Sequence, residues 1–87
     1  MIKRCDGWLA ARVGDELVMM SAKEGTYLGL NEVGACVWDL LEAPRGLADI
    51  CEGVAVEFET TPDACRPDVE AFLTAMEACG AVRNVAA

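Results

Sequence analysis

One third of the way along this 87-residue chain, near Asn31, the spacing of apolar residues changes. Before it the runs are short and extended; after it they follow the three-to-four-residue period of helices. Trp8–Val13, Glu16–Met20 and Thr26–Leu30 read as strands. Gly14-Asp15 makes the first turn, and the polar stretch Ser21–Gly25 makes the second. Three short strands with short links predict an antiparallel meander. Gly29 interrupts the third strand, as glycine does where another backbone comes close.

The remainder predicts three helices, over about 32–42, 47–58 and 62–79. Asn31 is placed to cap the first, with Glu32 at its positive end. Val33, Val37, Leu40 and Leu41 share one face, and Trp38, four residues after Gly34, is expected to lie over that glycine. Pro44 follows the end of this helix. Leu47, Ile50, Cys51, Val54 and Phe58 form the face of the second. Thr61-Pro62-Asp63 starts the third, and Gly80 ends it. Pro67 lacks an amide proton, so a kink or a short preliminary turn is expected there. The tail after Gly80 is expected to add a short extended piece. Strands and helices segregated in this way predict one α+β domain over residues 1–87, with helices packed on one side of the sheet.

Lysine and arginine total 7 against 15 acids, with no histidine, giving a net charge of −8. Residues 1–30 are balanced, four basic against four acidic, so the excess lies in the helical part. Such a chain repels nucleic-acid phosphates, which argues against a winged-helix regulator and predicts no nucleic-acid partner. No apolar run approaches the length of a membrane span, and no signal peptide is read at the N-terminus, so no membrane partner and a cytoplasmic location are expected. The five cysteines include no C-x-x-C pair. They read as small buried hydrophobes in a reducing compartment, with no metal and no cofactor expected. No base stands ready for a thiol or hydroxyl nucleophile, and no phosphate-binding glycine loop is present. The chain reads as a binding module and not an enzyme.

In a meander the third strand lies at a border. Thr26, Tyr27, Leu28, Gly29 and Leu30 carry no proline, lysine or inward charge to guard it. An extended peptide could pair there, with Val69, Phe72, Leu73 and Met76 of the last helix forming the floor and wall of a groove. Phe72 and Leu73 are expected mostly in the core, Val69 and Met76 nearer the groove. Self-pairing through the same edge, giving a homodimer of the free protein, is the competing use.

The segment Tyr27-Leu28-Gly29-Leu30-Asn31-Glu32-Val33-Gly34-Ala35-Cys36-Val37-Trp38-Asp39-Leu40-Leu41 resembles the signature of the PqqD-like family. The later pieces Pro44-Arg45-Gly46, Phe58 and Asp68-Val69 through Phe72-Leu73 to Gly80 fit the same pattern, over roughly residues 8–85. The resemblance implies a winged helix-turn-helix-like fold: a three-stranded antiparallel meander followed by three helices. It implies a recognition element that binds the leader segment of a ribosomally made precursor peptide and presents it to a modifying enzyme. On this chain the implied contacts are Thr26 to Leu30 with Asp68, Val69, Phe72 and Met76. The chain looks most like the free-standing proteins of lasso-peptide pathways, whose partner is a leader peptidase. The runner-up is the branch serving a radical-SAM enzyme in synthesis of pyrroloquinoline quinone. Pro67 departs from the family's pattern.

Overall fold

A computed structural model describes residues 1–85. The chain runs β1 (Ile2–Arg4), β2 (Trp8–Val13), β3 (Glu16–Ser21), β4 (Tyr27–Leu30), α1 (Glu32–Leu40), α2 (Leu47–Glu57), α3 (Pro62–Ala78) and β5 (Val82–Asn84). The expected α+β architecture is present, with the antiparallel meander β2-β3-β4 ahead of the three helices.

Turn chemistry sets the meander. Gly14 takes φ +63° at the first position of a two-residue loop, where a side chain would be strained. That loop pairs Val13 with Glu16 and aligns the rest of β2 on β3. In β3, Leu17, Met19 and Ser21 turn inward and are buried, while Val18 and Met20 turn outward. Leu28 and Leu30 of β4 share the inward face with Met19 and Leu17.

The helix ends follow their local signals. Asn31 Oδ1 accepts from the Gly34 amide at 2.9 Å, and Thr61 Oγ1 accepts from the Ala64 amide at 3.2 Å. At the end of α3, Gly80 adopts φ +81° and the Ala81 and Gly80 amides donate to the Met76 and Glu77 carbonyls. This pair of bonds satisfies carbonyls that the helix leaves free.

Two local expectations are corrected. Helix α3 is continuous from Pro62 through Pro67, so no separate preliminary turn precedes it. The proline removes one bond, to the Asp63 carbonyl, and Asp63 is exposed, so water can satisfy that oxygen. Nor does Trp38 cover Gly34. A Cβ on Gly34 would stand 2.8 Å from Phe72 Cε1 and 3.3 Å from Leu30 Cβ, so the ring of α3 and the end of β4 occupy that space.

Strand β1 is absent from the sequence reading, and the tail is more than an extended end. β1 and β5 pair antiparallel as a separate two-stranded sheet, Lys3 opposite Arg83. Ile2 also exchanges backbone bonds with Arg45. Arg4 lies over the Trp38 ring, 4.4 Å from its centroid, and donates through Nε to the Trp38 carbonyl at 3.1 Å. Trp38 sits in the last turn of α1, which has no basic side chain of its own, so Arg4 supplies the charge that a helix C-terminus favours. The core lies between the inward face of the meander and the helices, centred on Met19, Val37, Leu41, Ile50, Val54, Val69 and Met76.

Candidate functional site

Among the described residues β4 pairs only with β3, and its other side has no strand partner. The tail that could have covered it is held by β1. The register says which backbone groups this leaves open. Ser21 donates its amide to the Thr26 carbonyl at 2.8 Å. In an antiparallel ladder bonded pairs recur at every second residue. Met19–Leu28 and Leu17–Leu30 follow Ser21–Thr26 in step, so those β4 residues bond inward to β3. Tyr27 and Gly29 point their amides and carbonyls outward. Gly29 has nothing within 4 Å of where a Cβ would stand, so no neighbour within the chain accounts for a glycine there. Tyr27 is 70% exposed and Thr26 is exposed, while Leu28 is half-buried and Leu30 buried.

Beside the end of this edge, α3 brings Phe72 close to Leu30. Its core face is Cys65, Val69, Leu73 and Met76. At 100° per residue, Phe72 and Asp68 lie on the flank of that face. Phe72 is half-buried and reaches Gly34 beside Leu30; Asp68 is exposed. This reverses the order expected from the sequence. Val69 and Met76 are 0% and 2% exposed and lie beneath the surface. Phe72 is the part-exposed member. The reason is angular: Phe72 stands at the margin of the apolar arc, while Val69 and Met76 stand near its middle. The same flank carries Ala75 and Cys79, both exposed, which the sequence reading did not single out. Projecting the helix from its buried centre would have found them.

The site therefore combines a bare hydrogen-bonding edge at Tyr27 and Gly29, an apolar contact at Phe72 next to Leu30 and Gly34, and one carboxylate at Asp68. That suits an extended backbone with an apolar side chain. No group of three or more His, Cys, Asp or Glu among the described residues is placed to hold a metal ion. A cavity of about 820 Å³ lies elsewhere, between the β2–β3 turn, α1 and α2, with Glu32, Cys36, Asp39 and Glu57 on its walls. Burial, and then the charges of Glu57 and Asp39, push the Cys36 thiol pKa up, away from the thiolate a nucleophile needs.

A family model described as coenzyme PQQ synthesis protein D (PqqD) matches residues 16–82. The solved structure described as TbiB1 in complex with the TbiA(beta) leader peptide is 28% identical to this chain, with a TM-score of 0.82 over 98% of this chain and 99% of that one. A lasso peptide synthetase B1 complexed with its leader peptide is 19% identical, with a TM-score of 0.79 over 95% and 98% of the two chains, and shares the fold. The curated proteins include no significant match. A family model covering most of the chain, over a fold with a bare third-strand edge, leads to one conclusion: this chain belongs to the PqqD family.

Proposed function

We propose that this chain is a non-catalytic recognition protein. It binds the leader segment of a ribosomally made precursor peptide as an added strand along β4 and delivers it to a modifying enzyme in the cytoplasm, a lasso-peptide leader peptidase. The observation that carries this reading is the outward pair of Tyr27 and Gly29 backbone groups on an edge that has no strand partner among the described residues. Strand addition draws affinity from those main-chain bonds and specificity from side-chain contacts. The similarity to TbiB1, solved with a leader peptide, supports it. Thr26 to Leu30 supply the edge, Phe72 and Asp68 the flanking contacts, and Val69 and Met76 hold Phe72's helix in place from beneath. The family's description favours one second reading, a chaperone to a radical-SAM enzyme of PQQ synthesis. Comparing the two kinds of leader as ligands separates them.

The test uses two prolines. Gly29→Pro removes an outward amide where a ring has room, and proline is tolerated on an edge strand with that side to solvent. We expect the variant to stay folded by circular dichroism and to bind a synthetic leader about tenfold more weakly, the loss of one hydrogen bond with added steric hindrance. Leu28→Pro breaks a bond to β3 and should unfold the meander. Wild-type affinity in a folded Gly29→Pro variant would sink strand addition at β4.

A further inference from the structure

A meander has two borders, and the other one is β2. Among the described residues β2 pairs only with β3. The ladder fixes which of its backbone groups point out. Ala22 donates its amide to the Gly7 carbonyl at 2.8 Å. Bonded pairs recur at every second residue, so Leu9, Ala11 and Val13 bond inward to Met20, Val18 and Glu16. Trp8, Ala10 and Arg12 therefore turn their amides and carbonyls away from the sheet. Leu9 through Val13 are all exposed, on the helix side (Ala10, Arg12) and on the outer side alike, so the helical layer does not reach over this border. At six residues β2 is longer than β4, and it carries neither proline nor lysine. Its one charge, Arg12, is ion-paired with Asp39 of its own chain. An edge of this kind is a template for another strand.

We propose that two copies of this chain pair antiparallel through β2. The strand is self-complementary about Ala10. A two-fold axis there sets Ala10 opposite the partner's Ala10, Trp8 opposite the partner's Arg12 and Leu9 opposite the partner's Ala11. In this register every outward-facing residue meets another, giving about six main-chain bonds, two for each bonded pair. No other antiparallel self-pairing engages Trp8, Ala10 and Arg12 together. Trp8 and Arg12 bring a guanidinium beside an indole, and Leu9 with Ala11 joins apolar side chains across the seam. Residues 1–30 carry four basic and four acidic side chains, so the strands meet without a like-charge barrier of their own. The axis stands perpendicular to the sheet, so the two meanders become one continuous sheet with a β4 edge at each end. Self-pairing thus stands apart from the leader reading, since the two use different borders. The contact is only about 20 Å long, at a rise of about 3.3 Å per residue. So short a seam makes a weak dimer that forms at high protein concentration.

The experiment is sedimentation velocity of the wild-type chain from about 10 to about 500 µM, with and without a synthetic leader. A concentration-dependent dimer that leader does not dissolve is expected. Two variants locate the seam. Ala10→Pro removes the central outward amide on an edge strand, where proline is tolerated. Ala11→Lys adds, at an exposed position, the charge with which natural edges guard themselves. Both are expected to stay folded by circular dichroism, to dimerise at least about tenfold more weakly and to keep leader affinity within about twofold. If Ala10→Pro does not fold, Ala11→Lys carries the test, because its side chain points to solvent. A wild-type chain that stays monomeric over the whole range overturns the proposal. So does a dimer that the folded variants retain. A dimer dissolved by leader or by Gly29→Pro moves the contact to β4 and overturns it equally.

Discussion

At the scale of single residues, Gly34 and Phe72 join the fold to the site. Gly34 is buried in the first turn of α1, and the Phe72 ring fills the space where its Cβ would stand. Alanine there gains up to about 1 kcal/mol of helix propensity but must push the ring aside. Cε1 is the far end of a half-buried side chain, so the ring can yield toward the groove. We expect Gly34→Ala to change unfolding free energy by less than about 1 kcal/mol in urea, yet to weaken leader binding several-fold. Unchanged leader affinity would mean that the position of Phe72 does not matter to the groove. Sequence spacing offered Trp38 as the reason for this glycine because four residues is the range at which helical neighbours can be read. Phe72 is 38 positions away, and no local pattern reports it. The same limit explains the exchange of roles on α3. Periodicity identifies an apolar arc, but which member stands at its margin depends on where the sheet lies.

At the scale of elements, the meander and the three helices were legible because their signals are local. Gly14 at a tight turn, Asn31 and Thr61 as caps and Gly80 as terminator each act through bonds within a few residues. Helix α3 is where a local rule misled. Proline near the start of a helix removes one bond, and tertiary packing of Cys65, Val69, Leu73 and Met76 holds the helix on both sides of it. Restoring the amide should therefore stabilise the protein. We expect Pro67→Ala to raise stability by about 1–2 kcal/mol, the helical penalty of proline less the entropy it removes from the unfolded chain. For a domain of this size that corresponds to roughly 4–8 °C in melting temperature per kcal/mol. A lower melting temperature would show that Pro67 has a packing role.

At the scale of the whole molecule, the two ends of the chain are tied together away from the meander. β1 and β5 hold each other, Ile2 bonds with Arg45, and Arg4 is seated on Trp38. This arrangement keeps the tail off β4, so it is a condition for the open edge. Replacing Arg4 with methionine keeps an apolar stem over the ring and removes the charge and the bonds to the Trp38 carbonyl. A loss of about 1–3 kcal/mol is expected in thermal or urea unfolding, with leader affinity of the folded protein unchanged. An unaltered melting curve would show that Arg4 contributes nothing to holding the ends.

The sequence alone determined the meander and the three helices in their order, their caps and turns, the third predicted strand as a border and the family to which the chain belongs. Each is written in residues near one another, or in a pattern read in order. Tertiary structure decided where the tail goes, that β1 exists, which of the α3 residues reach the surface and which amides of β4 face outward. Those outcomes come from partners tens of residues apart. A three-residue strand has no period to read, and its bonds exist only once the two ends of the chain have met.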